Sequence, residues 1–158
     1  MKKVLIVLVL AITGVSCATN EKAFAQSGQT AAINQGGQFR VMEVKEYTST
    51  NRFFMPPEDM RFVAFDVVID NTNGANDIRL LSSSIELRDL EGYTYTAASS
   101  TYDLVIPSLN MGYRAIEKGD LVRGWVTIAI RNRVPLNGLR IRLRSSDAQS
   151  DWITIRHR

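Results

Sequence analysis

Arg140, Arg142 and Arg144 alternate with Leu139, Ile141 and Leu143. Successive side chains of a strand take opposite faces, so three guanidiniums line up outside once the aliphatic residues turn inward. The same count sends Arg123 and Trp125 outward from residues 121–131, and Trp152, Thr154 and Arg156 outward from the last apolar run. If these three strands are neighbours, their outer face is an arginine ladder flanked by two tryptophans. Arginine's planar fork matches phosphate and carboxylate groups, and aromatic faces stack on sugars, so the implied chemistry is recognition of an anionic polymer. The competing expectation is a solvated face in which arginine stems lie on the indoles beside nearby acids. Charge distribution marks the region: residues 121–158 carry eight arginines against Asp147 and Asp151.

Other chemistry is sparse. The single histidine, His157, is next to last in the chain, a poor place for an oriented general base, so no catalytic residue is assigned. One histidine and one cysteine do not make a zinc or copper site. The run Asp70 to Asp77, DNTNGAND, is rich in oxygen ligands, but aligning Gly74 with the glycine of a calcium loop puts Ile69 and Leu80 at its end positions, so a turn is expected. No glycine-rich phosphate loop is present, and no cofactor or nucleic-acid partner is expected.

Cys17, the only cysteine, ends the segment Thr13-Gly14-Val15-Ser16-Cys17. Lys2 and Lys3 precede an apolar run from Val4 to Ile12, too short to span a bilayer and suited to an export signal. The segment resembles the box at which bacterial lipoproteins are cut before a cysteine that receives a diacylglycerol, although Gly14 stands where a leucine is usual. That resemblance implies a signal peptide over 1–16 and a membrane attachment through lipid at Cys17. The alternative is a freely secreted or periplasmic form cut after Ala25, since Ala23-Phe24-Ala25 also fits the small-x-small rule. Losing Lys2 and Lys3 takes the 19 basic side chains to 17 against 16 acidic ones, so the mature chain is nearly neutral. Residues 17–37, dominated by small and polar side chains, are expected to be a flexible tether, leaving 38–158 as one domain.

The elements that position the arginines are strands. Val63, Phe65, Val67 and Ile69 alternate with Asp66 and Asp70, and Ile85 and Leu87 alternate with Glu86 and Arg88. From Leu121 to Arg131 the inward set is Val122, Gly124, Val126, Ile128 and Ile130, and Ile153 and Ile155 mark a last strand. Turn residues separate these runs at the spacing of an all-β fold, giving an antiparallel sandwich of about seven or eight strands.

The order DVVIDN, IELRDLEGYTY, EKGDLVRGWVTIAI and GLRIRLRSS resembles bacterial envelope domains of unknown function, telokin-like immunoglobulin sandwiches commonly found on lipoproteins. The resemblance covers residues 38–156 and implies a fold and an extracytoplasmic place, with no catalytic residues. Lys118-Gly119-Asp120 replaces the Pro-Gly-Glu turn expected there, and the connection Ser99 to Ile116 is long enough to hold an extra edge strand. The implied role is non-enzymatic binding of an envelope component or partner protein. A small-ligand carrier with a pocket under Ser99 to Ile116 is the rival reading. A second binding candidate is NRFFMPPEDM: Phe53 and Phe54 are expected to fold back and plug the open end of the sandwich, or else to stand out as an apolar loop tip.

Overall fold

Val63, Phe65, Val67 and Ile69 lie on one face of a strand and are all fully buried. This strand, β3 (Met60–Asp70), is flanked by β2 (Gln38–Tyr47) and β8 (Leu121–Arg131), and β2 is flanked in turn by β1 (Ala23–Ala32). The computed structural model describes residues 23–49, 52–97, 108–109 and 114–156. Within them a second four-stranded sheet has the order β10 (Ile153–Thr154), β9 (Arg140–Leu143), β5 (Ile85–Arg88), β6 (Thr94–Thr96). A small pair, β4 (Ile78–Leu80) with β7 (Arg114–Ile116), completes the set. Every strand pairing is antiparallel.

The two larger sheets enclose one core. Phe39, Val41, Val44, Val126, Ile128 and Ile130 from the first meet Ile85, Leu87, Leu139, Ile141, Leu143 and Ile153 from the second. The fold is therefore an all-β antiparallel sandwich, with ten strands among the described residues in place of the expected seven or eight. The predicted inward sets of β3, β8 and β9 hold, Val122 being partly buried against the core. A register shift between Val41 and Glu43 lets both Val41 and Val44 face inward despite their odd spacing.

The tether expectation needs correction. Residues 23–32 form β1, paired along β2 from Ala23 opposite Lys45 to Ala32 opposite Gln38. Ala31 and Ile33 are buried, and Asp151 donates its backbone N–H to the Ala32 carbonyl while Asn34 donates to that of Gln149. Small and polar side chains suffice here because an edge strand is held mainly by its backbone ladder. Cys17, the signal segment 1–16 and His157 lie outside the described residues, as does most of the connection from Ser99 to Ile116.

The Lys118-Gly119-Asp120 turn forms with Gly119 at φ +96°, a conformation glycine adopts at no steric cost. The Asp70 to Asp77 segment is likewise a turn. Asn71, fully buried, donates from its side-chain nitrogen to the carbonyls of Asn76, Ile116 and Glu117. Asp70 accepts from Arg40 and from both the backbone and hydroxyl of Thr72, and Asp77 accepts from the Lys118 backbone. Its hydrogen bonds from Thr72, reinforced by Arg40, hold the Asp70 carboxyl below the usual carboxylate range.

Candidate functional site

Pairing of β5 with β9 sets Glu86 opposite Arg142 and Arg88 opposite Arg140. Leu87 and Ile141 point into the core between them, so the four polar side chains share the outer face of the second sheet. Trp152, just before β10, lies across this row. Its ring centroid is 4.2 Å from the guanidinium carbon of Arg142, 5.5 Å from that of Arg140 and 5.8 Å from that of Arg88. Three cations converge on one indole.

One carboxylate meets them. The Glu86 oxygen is 2.7 Å from a terminal nitrogen of Arg142, accepts from Arg142 Nε at 2.8 Å and lies 3.7 Å from Arg144. The Glu86 and Arg142 side chains are only 9% and 15% exposed, whereas Arg144 is 61% exposed. Four guanidiniums against one acid leave this patch cationic, with Arg142 held in the ion pair and Arg144 at its exposed edge. Hollows flank the row on both sides. One of about 300 Å³ is lined by Gln29, Thr30, Trp152, Thr154 and Arg156, and one of about 360 Å³ by Ser83, Thr94, Thr96, Arg144 and Ser145 among others.

The single ladder with two flanking tryptophans is not what forms. β8 pairs with β3 in the first sheet, so Arg123 and Trp125 lie on the opposite outer face of the molecule. There the buried Asp66 carboxylate accepts from Arg123 at 3.1 and 2.5 Å, which raises the arginine's pKa further, and Lys45 Nζ sits 4.5 Å from the Trp125 ring. Period-two alternation fixes which face a side chain takes but not which sheet its strand joins. Arg140, Arg142, Arg144, Trp152 and Arg156 are brought together; Arg123 and Trp125 form a separate, locally compensated cluster.

Phe53 and Phe54, in a 3-10 turn over Arg52–Phe54, do not plug the sandwich: they are 78% and 40% exposed. That end is closed by the crossover from β8 to β9, where Val134 and Leu136 are buried. Arg61 holds the crossover by donating to the carbonyls of Asn132 and Val134.

Sequence reasoning missed two features. Glu86 and Arg88 were readable as outward residues, but only the β5–β9 register shows that they complete the arginine row. A cleft of about 660 Å³ between Glu58–Met60, Tyr93–Tyr95 and Arg131–Arg133 has no sequence signature. In it Arg131 lies 3.9 Å from the Tyr93 ring, and burial together with the Asp89 carboxylate, to which its hydroxyl donates at 2.8 Å, pushes Tyr95 up to about 12. Among the described residues no group of three or more His, Cys, Asp or Glu side chains gathers to hold a metal. Of the Ser99 to Ile116 connection, Leu109 is described, and it packs directly against Gly124 of β8.

Fold and face together define an antiparallel β-sandwich with a cationic, aromatic sheet surface. Residues 25–133 match the family described as Domain of unknown function (DUF4352), and the chain belongs to that family. No curated protein matches the sequence. Among solved structures the fold is similar to that of a candidate lipoprotein (ycdA) of Bacillus subtilis subsp. subtilis str. 168, with 10% identity and a TM-score of 0.54 over 84% of this chain. The match spans 39% of that longer protein. A functionally unknown protein of Listeria monocytogenes EGD-e is similar at 12% identity and a TM-score of 0.51, over 85% of each chain. At these identities the likeness is one of fold.

Proposed function

We propose that this protein is an extracytoplasmic, lipid-anchored module without catalytic activity of its own, whose immunoglobulin-like sandwich binds a phosphate- or carboxylate-bearing polymer of the cell envelope. The observation that carries the binding reading is the convergence of Arg88, Arg140 and Arg142 on Trp152 with Glu86 as the one facing acid. Like charges set directly opposite one another on a sheet are unfavourable. An anionic ligand offsets that cost, and arginine forks give it geometry as well as charge.

The anchor reading rests on the Thr13 to Cys17 box, and two observations support it. Cleavage after Ala25 would remove Ala23, Phe24 and Ala25 from β1, where they pair with Lys45, Val44 and Glu43, whereas cleavage before Cys17 leaves the strand whole. The Bacillus protein of similar fold is itself described as a candidate lipoprotein. Mass spectrometry of the native N-terminus tests this: a diacylated Cys17 is expected, and an unmodified Gln26 would count against it.

Binding is tested by retention on immobilised polyphosphate and polygalacturonate. Wild-type protein is expected to be retained in a salt-dependent way. The Arg88→Gln, Arg140→Gln double variant keeps the Glu86–Arg142 pair and is expected to elute at clearly lower salt from at least one matrix. Equal retention of the folded variant on both overturns the polymer reading.

A further inference from the structure

Seven large apolar side chains are exposed among the described residues, and five of them, Phe53, Phe54, Met55, Leu90 and Tyr93, stand at one end of the sandwich. Strand register defines that end. β1 starts with Ala23 opposite Lys45, β2 finishes with Tyr47 opposite Phe62, and β3 starts with Met60 opposite Arg131. The loop carrying Phe53 to Met55 joins β2 to β3 and so leaves from this end. The turn between β5 and β6 reaches the same place, since Arg133 pairs with Glu91 at 3.4 Å and Arg131 lies against Tyr93. Leu121, opposite Asp70, is at the other end, and Leu81 is beside Arg144 at the far end of β9.

The chain enters here too. Cys17 precedes Ala23 by six positions, no more than about 20 Å of extended backbone. A lipid on Cys17 therefore holds the Ala23 end, and with it the apolar loops, close to the bilayer surface. Phe53 is 78% and Met55 57% exposed, and Pro56 and Pro57 stiffen the loop that presents them. Aromatic and aliphatic tips of this kind favour the boundary between headgroups and acyl chains. Acids and bases near the tip offset each other, with Glu58 and Asp59 beside Arg131 and Arg133 in the cleft wall, so apolar contact rather than net charge is the driving term.

We propose that this end of the sandwich is its membrane-facing end, with Phe53, Phe54 and Met55 inserted into the bilayer interface and Leu90 and Tyr93 resting beside them. The way the chain reaches the membrane rests on the reading of Cys17 as acylated. The consequence is orientation: the arginine–tryptophan row then runs along the side of an upright domain, open to polymer passing the membrane surface.

The test uses the mature full chain in vesicles of phosphatidylethanolamine and phosphatidylglycerol, with a nitroxide on Met55→Cys and, in a second sample, on Leu121→Cys. Acylation blocks the Cys17 thiol, leaving one labelling site; in a chain whose mass shows no acylation, Cys17→Ser serves the same purpose. For vesicle-bound protein, the label at 55 is expected to be accessible to oxygen and shielded from a water-soluble nickel chelate, the label at 121 the reverse, and neither to change between low and high salt. A label at 55 as open to the chelate as that at 121, or shielded only on adding another protein, overturns the proposal. The mass measurement reports separately on the anchor, so failure of one reading is not mistaken for failure of the other.

Discussion

Glu86 and Arg142 face each other across β5 and β9 at 2.7 Å, and both are largely withdrawn from solvent. The pair holds the arginine row in register, because Glu86 also draws Arg144 to 3.7 Å. Removing one partner strands the other: Glu86→Gln leaves Arg142 beside further cations with no facing carboxylate. Breaking a pair this enclosed costs about 3 kcal/mol. Urea unfolding of Glu86→Gln is expected to show that loss, and a double-mutant cycle with Arg142→Gln a coupling of at least about 1 kcal/mol. Additivity of the two substitutions would show that the pair does not organise the sheet face.

Arg88 and Arg140 have the opposite relation. They are directly opposed like charges, which destabilise a sheet, and their distances to Trp152 are near the outer limit at which a cation and a ring attract. Repulsion therefore outweighs ring attraction. The double variant Arg88→Gln, Arg140→Gln is expected to gain about 0.5 kcal/mol in thermal or urea unfolding. A loss of stability instead would mean that these arginines are kept for packing rather than for a ligand.

Such pairings decide what a single sequence reveals. Ile85, Leu87, Ile141 and Leu143 each stand between polar neighbours, so their inward orientation is legible without a structure. The outward orientation of Trp125 and Trp152 was legible for the same reason, yet they occupy opposite faces of the molecule, because strand neighbourhood is a long-range choice that alternation does not encode. β1 is not legible in the sequence, because an edge strand of mostly small and polar residues is held by its backbone ladder and leaves no apolar rhythm. The exposure of Phe53 and Phe54 depended on whether another segment closed the sandwich end, which Val134 and Leu136 do.

Tyr95 gives a pH signature. Burial, then the hydrogen bond to Asp89, raises its folded-state value from 10.0 to about 12. Stability from this group is fully present below pH 10 and declines as the pH rises through the window from 10 to about 12, where the unfolded chain ionises first. Ultraviolet titration of the phenolates is expected to show one tyrosine ionising about two units late, and Tyr95→Phe to remove that late component. Tyr95→Phe also leaves the buried Asp89 with one hydrogen bond fewer, at a cost of about 1 kcal/mol near neutral pH.

Gly124 sits where two backbones meet. Among its neighbours in the inward row of β8, Val126 and Ile128 fill the core, but above Gly124 the chain passes at Ser108 and Leu109, with the Leu109 N–H bonded to the Trp125 carbonyl at 3.0 Å. A Cβ at position 124 would lie 2.6 Å from Leu109 N and 2.7 Å from its Cα. Both atoms are backbone, so no side-chain rotation relieves the contact, and the Leu109 segment must move off β8. Leu109 is fully buried, and moving it opens the core as well as breaking the hydrogen bond. Gly124→Ala is therefore expected to destabilise by about 2 kcal/mol, despite the small size of a methyl group. Two amide signals distinguish this cause from a general weakening of β8: hydrogen exchange at Leu109 is expected to accelerate far more than at Ile128 in the variant. Equal acceleration at both positions would mean that the close approach of Leu109 is not what requires glycine there.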